Sequence, residues 1–372
     1  MKKTCISKGW SLNAPGTNGW ISTDLPNDYS ITQPRNPGAP GGASNGFFVG
    51  GEGTYVKELD IPEEKKHYIL DIDGAYMYTR VSLGEFLLAK HPHGYTPFLV
   101  DLTPRVKFGE TNKLTIRTDD CQPSTRWYTG AGIYRDVYLY EGGDIRIEPW
   151  DLWVDTPETD LVKAYCVVTS DRKADVTVRF EIFDADENLV VSDEKKLTAD
   201  GKTTVTGDIR IADANLWNIE DPYLYTIRAT ILEGDETLDN EELRFGIRTL
   251  SVDAENGLLI NGESVKLRGG CIHHDHGVLG AADYPAACRR KIEKLRDAGF
   301  NVLRIAHNPP SETLMEICDE LGIIVMDEAF DCWRLDKGGR NNYHRYFDEW
   351  WERDTELMVR RDRRHTSVIA FS

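Results

Sequence analysis

Residues 286–328 have the sequence AACRRKIEKLRDAGFNVLRIAHNPPSETLMEICDELGIIVMDE, in which two helical patterns alternate with two apolar runs. Gly299 follows the first helical pattern as a C-terminal stop. Ser311 can cap the second helix, whose apolar stripe ends at Gly322. Continuous apolar runs between helices are typical of parallel strands covered on both faces.

The same alternation extends to both sides of this stretch. It begins near Val265, continues through a third helix predicted over Phe347–Arg364, and reaches the apolar run Ser367–Phe371. The order predicts about four strands of an eight-stranded (β/α)8 TIM barrel. Half a barrel cannot bury its own interior. We therefore expect either a truncated chain or completion by a partner, through homo-oligomerisation or self-association.

Polar residues follow the first three predicted strands, where the active-site residues of such barrels lie. They are His273, His274 and Asp275, then His307 and Asn308, then Asp327, Glu328 and Asp331. Adjacent strand residues face opposite sides, so at most one of Asp327 and Glu328 should point into the barrel. Arg304, inside the second strand, would need a carboxylate partner there.

Two β-rich regions precede the barrel pattern. Residues 1–143 contain short strand candidates separated by turn signals, which predicts a jelly roll. Residues 144–249 contain alternating segments such as Leu161–Thr169 and Asp175–Phe183, which predict an immunoglobulin-like sandwich without its disulfide. Residues 250–372 form the third predicted domain.

Composition excludes several function classes. The net charge of -18 argues against nucleic-acid partners and anionic membrane surfaces, because both bind to basic patches on a protein. No apolar run approaches a membrane span, and the N-terminus lacks the apolar segment of a signal peptide. The seven cysteines are dispersed without a CxxC, which favours a reducing cytoplasm and no zinc site. Cys271 and Cys318 lie in apolar patterns and are expected to be buried.

Six segments resemble one enzyme family in their order along the chain. They are GYTPF (94–98), STRWYTGAGIYRDVYL (124–139), LWNIEDPYLYTI (216–227), LLINGESVKLRGGCIHHDHG (258–277), KLRDAGFNVLRIAHNPP (294–310) and DELGIIVMDEAFDCW (319–333). Together they resemble the N-terminal portion of glycoside hydrolase family 2, which includes β-galactosidases, β-glucuronidases and β-mannosidases.

The resemblance implies a retaining exo-β-glycosidase acting on a β-glycoside, with β-galactosidase as the leading specificity. β-Glucuronidase and β-mannosidase specificity are alternatives, and so is a non-catalytic carbohydrate-binding or assembly module. In the family, the acid/base Glu and the nucleophile Glu would both lie beyond Ser372. The isolated chain is therefore expected to be a catalytically inactive fragment.

The resemblance also implies the roles of individual residues. The expected substrate contacts are His273, His307, Asn308, Glu328, Asp327, Trp333, Arg126 and Asp120. The expected supporting residues are Arg304, His274 and Asp275. Arg135 and Asp136 are expected to form a structural ion pair. No metal ligand set is evident, although family analogy leaves Mg²⁺ or Na⁺ open.

Overall fold

The computed structural model describes residues 1–337 and 339–372. Its first domain is a jelly roll of two antiparallel sheets with the strand orders β1-β10-β5-β8 and β3-β2-β4-β9-β6-β7. The strands are β1 Lys2–Cys5, β2 Trp10–Asn13, β3 Ile21–Thr23, β4 Gly51–Asp60, β5 His67–Ile72, β6 Thr79–Leu83, β7 Phe86–His91, β8 Phe98–Asp101, β9 Thr111–Asp120 and β10 Val137–Gly142.

Alternation of apolar and polar residues explains how these sheets face each other. In β9, Leu114 and Ile116 point inward, and Lys113 and Arg117 point to solvent. The inward residues of both sheets meet in one buried core. The segment between β9 and β10 does not belong to either sheet, and it extends toward the third domain.

The second domain is an immunoglobulin-like sandwich of five long strands. They are β11 Ile145–Glu158, β12 Leu161–Phe183, β13 Leu189–Arg210, β14 Tyr225–Glu233 and β15 Glu236–Phe245. The predicted strands Leu161–Thr169 and Asp175–Phe183 are one continuous strand, β12, because a register shift between Ser170 and Ala174 bends it without ending its pairing with β13. Its first half pairs with β11 and its second half with β14.

The third region contains a small antiparallel sheet and part of a TIM barrel. The small sheet has β16 Leu250–Asp253, β17 Gly257–Ile260 and β18 Glu263–Ser264. The barrel part has parallel strands β19 Gly269–Ile272, β20 Val302–Ile305, β21 Ile324–Asp327 and β22 Val368–Phe371, with helices α1 Pro285–Asp297, α2 Glu312–Leu321 and α3 Phe347–Asp362. Ser311 caps α2 as predicted, with its hydroxyl accepting from the Leu314 N–H at 3.2 Å. The predicted fold of jelly roll, sandwich and partial barrel is confirmed.

Short 3₁₀ helices connect several of these elements; they span Tyr29–Thr32, Gly42–Asn45, Thr103–Arg105, Gly277–Leu279 and Tyr343–Arg345. Among the residues described, no helix is both long and apolar enough to cross a bilayer.

Arg135 joins the jelly roll to the barrel. Its guanidinium is buried and donates to the backbone carbonyls of Asp73, Tyr95, Pro309 and Pro310 at 2.9–3.1 Å. The expected ion pair with Asp136 is wrong, because Asp136 instead accepts a hydrogen bond from the Ser7 hydroxyl at 2.7 Å. The interface thus depends on a cation that satisfies backbone carbonyls of both domains.

The sandwich packs against the C-terminal end of α2. The buried indole of Trp217 donates to the carbonyl of Asp319 at 2.8 Å. Gly322 ends α2 with a left-handed φ of 69°, and a Cβ there would lie 2.6 Å from the carbonyl oxygen of Ile219. The LWNIEDP segment therefore holds the barrel helix against the second domain.

Candidate active site

Three side chains form a hydrogen-bonded group at the C-terminal ends of β20 and β21. Arg304 Nε donates to Glu328 Oε1 at 2.5 Å, and His307 Nδ1 lies 3.0 Å from Glu328 Oε2. Glu328 is buried, whereas the Arg304 side chain is 42% exposed on the concave face of the sheet. The carboxylate partner that Arg304 requires is thus Glu328, which fixes both basic side chains at once.

An aromatic side chain from the jelly roll covers this group. Trp127, in the segment between β9 and β10, stacks on His273 with ring centroids 5.1 Å apart and an angle of 26° between the planes. The Trp127 ring also lies 5.5 Å from the His307 ring, and its Nε1–H donates to the Tyr95 hydroxyl at 3.2 Å. We call Trp127, His273, Arg304, His307 and Glu328 the barrel-end cluster.

His273 is held as a neutral ring within this cluster. Partial burial and the neighbouring His307 lower the pKa of His273 below its usual value of 6.5. A neutral imidazole has one donor and one acceptor nitrogen, so it can form hydrogen bonds of either polarity with a hydroxyl group.

Asn308 is oriented by a histidine of the first domain. His93 Nδ1 accepts from the backbone N–H of Thr96, so Nε2 carries the proton and donates to Asn308 Oδ1 at 3.2 Å. Burial lowers the pKa of His93 to about 4, which keeps the ring neutral near pH 7. With Oδ1 occupied, Asn308 has its amide N–H groups left to donate.

His274 and Asp275 lie behind the cluster. His274 Nε2 is 2.8 Å from the carbonyl oxygen of Thr129 and therefore donates to it, and burial lowers the pKa of His274 to about 3. The backbone carbonyl of Asp275 accepts from Lys291 Nζ at 2.9 Å. This geometry suits the supporting role predicted for both residues.

Two predicted substrate contacts are corrected by the structure. Asp327 is fully buried on the opposite side of β21 from Glu328, and burial together with the Asp362 carboxylate raises the pKa of Asp327 well above its usual range. Asp120 is also buried, accepts from Gln122 Nε2 at 2.8 Å, and has its pKa raised to about 7 by burial. Neither carboxyl group is exposed to a ligand.

The remaining predicted contacts lie at the rim of the cluster. Arg126 is half exposed and pairs with Asp331 at 2.6 Å. Trp333 is 46% exposed and packs its ring 5.6 Å from both Phe330 and Phe347. Cys271 is exposed, contrary to its expected burial, because it lies on the concave face with its Sγ 3.3 Å from Arg304 Nη1; Cys318 is buried as predicted.

The donor set does not fit a metal ion. Across residues 1–337 and 339–372, no three His, Cys, Asp or Glu side chains converge as a metal site requires. The Glu328 carboxylate is already engaged by Arg304 and His307.

From the first domain, the sequence predicted only Arg126 and Asp120 as site residues. Neither Trp127, inside the STRWYTGAGIYRDVYL segment, nor His93 is distinguished as a site residue by its local pattern. His93 directly precedes the GYTPF segment, so its position next to a family motif was an available signal.

Comparison with known proteins agrees with this architecture. The family model for glycosyl hydrolases family 2 matches residues 145–248, and the model for the TIM barrel domain of that family matches residues 252–372. A β-galactosidase of Bacteroides ovatus, BoGH2A, is 39% identical over 99% of this chain, which covers 44% of that relative. A putative β-glucuronidase of Formosa agariphila is 32% identical over 95% of this chain, which covers 34% of it.

A solved structure extends the similarity to the whole chain. A glycosyl hydrolase family 2 member from Bacteroides cellulosilyticus superposes with a TM-score of 0.94 and 37% identity, covering all of this chain and 51% of the other. The chain thus spans about half or less of the length of these relatives. The chain belongs to glycosyl hydrolase family 2.

Proposed function

We propose that the barrel-end cluster is the sugar-binding side of the active site of a retaining exo-β-glycosidase that acts on β-galactosides. The observation that supports this most is the arrangement of Trp127 over His273 and His307, beside the Arg304–Glu328 pair. An aromatic ring packs against the apolar C–H face of a sugar, and the imidazoles and charged groups can bind its hydroxyls.

The charge balance of the site favours a neutral terminal sugar over a uronic acid. A uronic acid carboxylate binds best to a cation that has no other partner. Arg304 is paired with Glu328 at 2.5 Å, and Arg126 is paired with Asp331 at 2.6 Å. The relative named as a β-galactosidase is also more similar to this chain than the relative named as a putative β-glucuronidase.

The two catalytic carboxylates are proposed to come from barrel strands outside these 372 residues. A retaining mechanism needs two carboxyl groups roughly 5–5.5 Å apart. Glu328 is held by Arg304 and His307, while Asp327 and Asp120 are buried. Hydrolysis is accordingly proposed for the longer protein whose barrel contains this sequence, and sugar binding for residues 1–372.

The test compares three nitrophenyl glycosides. For the longer protein we expect the highest kcat/KM on the β-galactoside, above the β-glucuronide and the β-mannoside, with the β-anomer as first product in NMR spectra. The 372-residue chain should bind galactose without turning over any of the three substrates. Preferential cleavage of the glucuronide would contradict the charge argument. Binding without turnover by the longer protein would favour a non-catalytic module.

A further inference from the structure

A second cleft lies beside the barrel-end cluster, between the jelly roll and the beginning of α3. Its cavity volume is about 520 Å³, within the range of small-molecule pockets. We call it the side cleft. Its aromatic and charged lining residues are Tyr78, Tyr346, Trp350, Arg80, Lys90, Arg345, Asp119 and Glu349.

The side cleft is separate from the barrel-end cluster. Two chain segments form the wall between them, 76–78 and 341–342. Tyr76 and Asn342 line the crevice next to Trp127, whereas Tyr78 and Asn341 line the side cleft. A ligand in the side cleft would therefore not touch Glu328 or the two histidines of the barrel-end cluster.

Aromatic rings in the side cleft are held in fixed positions. Tyr78 and Tyr346 pack edge to face with ring centroids 5.2 Å apart, and the Tyr78 hydroxyl donates to the carbonyl of Asn341 at 2.5 Å. Tyr78 has a φ of 50°, a left-handed conformation that is strained for a bulky residue. Such strain persists where the surrounding structure fixes the direction of a side chain, here toward the cleft.

Several charged groups of the side cleft lack an ion-pair partner, although the Asp119 carboxylate accepts a hydrogen bond from the Cys121 thiol at 3.4 Å. Within the described part of the chain, Lys90, Arg345, Asp119 and Glu349 form no ion pair, and Arg80 reaches Glu52 only at 3.5 Å. Three basic side chains, Arg80, Lys90 and Arg345, thus line one cleft of a chain whose net charge is -18. Free charged donors and acceptors beside aromatic rings are the groups that bind vicinal sugar hydroxyls or a sugar carboxylate.

We propose that the side cleft is a second saccharide-binding site, independent of the barrel-end cluster. It holds a sugar chain with one ring against Tyr346 and Trp350, with hydroxyl or acidic groups on Lys90 and Arg345, and with a hydroxyl group on Asp119. The inference does not rest on the proposed hydrolysis, because it concerns binding by residues 1–372 alone.

Calorimetric titration of the 372-residue chain tests this proposal with a neutral β-galacto-oligosaccharide and an oligosaccharide of uronic acids. Two cleft variants are compared with the parent chain: Lys90→Ala/Arg345→Ala, which changes exposed residues, and Tyr346→Ala. The variant Trp127→Ala identifies the part of the binding that takes place at the barrel-end cluster. Circular dichroism melting verifies that each variant is folded.

At least one of the two sugars should bind, and the cleft variants should weaken that binding about tenfold, as expected for the loss of a charge-assisted hydrogen bond or an aromatic contact. Trp127→Ala should weaken only the binding of the galacto-oligosaccharide at the barrel-end cluster and should leave the binding that the cleft variants weaken unchanged. Dependence on Lys90 and Arg345 for the uronic acid only would identify an acidic ligand. The proposal is overturned if neither sugar binds at about 10 mM, or if binding is insensitive to the cleft variants.

Discussion

Trp127 of the jelly roll and His273, which directly follows barrel strand β19, stack with their ring centroids 5.1 Å apart. The two residues are 146 positions apart in the chain and belong to different domains. The stack means that the first domain forms part of the wall of the candidate active site. A change at Trp127 therefore tests whether the jelly roll contributes to sugar binding.

Trp127→Ala should weaken the binding of a non-hydrolysable thio-β-galactoside by about tenfold, because the sugar loses an apolar face against which to pack. Isothermal titration calorimetry on the 372-residue chain measures the dissociation constant. Trp20→Ala is the matched control, because Trp20 is 55% exposed on the β2–β3 hairpin. Equal affinity of the Trp127 variant and the parent chain would remove Trp127 from the binding site.

The barrel part of the site was predictable from the sequence to the extent that it depends on local pattern. The alternation of helices and apolar runs correctly predicted that His307 and Glu328 follow adjacent parallel strands. The two-residue period of a strand implied that only one of Asp327 and Glu328 faces the barrel. Which of the two does so depends on how β21 packs against α3, and a local pattern does not report that packing. In the structure, Asp327 is the residue that faces away from the barrel interior, and it is buried beside Asp362.

The interdomain part was not predictable in this way. The contacts of Trp127, His93 and Arg135 with the barrel join segments more than 140 residues apart, and no local periodicity reports such contacts. Arg135 shows the difficulty most clearly. Its sequence neighbour Asp136 suggested an ion pair, whereas the structure satisfies the guanidinium with backbone carbonyls.

Glu328→Gln should shift the preference of the site toward acidic sugars. The substitution removes the charge that neutralises Arg304 and leaves a cation that is 42% exposed on the concave face. We expect the affinity for a β-glucuronide to rise about fivefold relative to a β-galactoside, measured by calorimetry on the same chain.

Glu320→Gln is the control for Glu328→Gln, because Glu320 also bridges two arginines, Arg244 and Arg289, but lies on the surface between α1, α2 and the sandwich. It should change neither affinity. If Glu328→Gln also left the ratio of the two affinities unchanged, the charge argument for a neutral sugar would lose its basis.

Arg135→Met should destabilise the chain strongly, because it leaves four carbonyl groups at the jelly roll–barrel interface without their shared donor. The expected loss in the free energy of unfolding is about 3 kcal/mol, measured by urea denaturation. Arg126→Met removes an arginine whose side chain is half exposed and should cost less than about 1 kcal/mol. Similar costs for the two variants would mean that Arg135 does not hold the domains together.

The carboxylate of Glu312, largely buried beside Lys3, should make stability depend on pH. Burial alone would raise the pKa of Glu312, but Lys3, 2.8 Å away, and Arg364 outweigh it and lower the pKa from 4.5 to about 2. The stabilisation from ionised Glu312 is therefore present above pH 4.5 and is lost as the pH falls toward 2. Glu312→Gln should remove about 2 kcal/mol at pH 6 and progressively less below pH 4.5.

Asp71 lies in the same group of charges and should make stability depend on pH in the opposite direction. Burial, with a contribution from Glu312, raises the pKa of Asp71 from 3.8 to about 8. A raised carboxyl pKa means that stability is greatest below pH 3.8 and decreases as the pH rises toward 8, so Asp71→Asn should gain stability relative to the parent as the pH rises. Melting temperatures of both variants from about pH 3 to pH 8.5 test the pair, with Glu255→Gln, in an exposed turn, as the neutral control. The difference in melting temperature between variant and parent should change with pH in opposite directions for Glu312→Gln and Asp71→Asn. A change in the same direction would show that the two carboxyl groups are not held in opposite charge states.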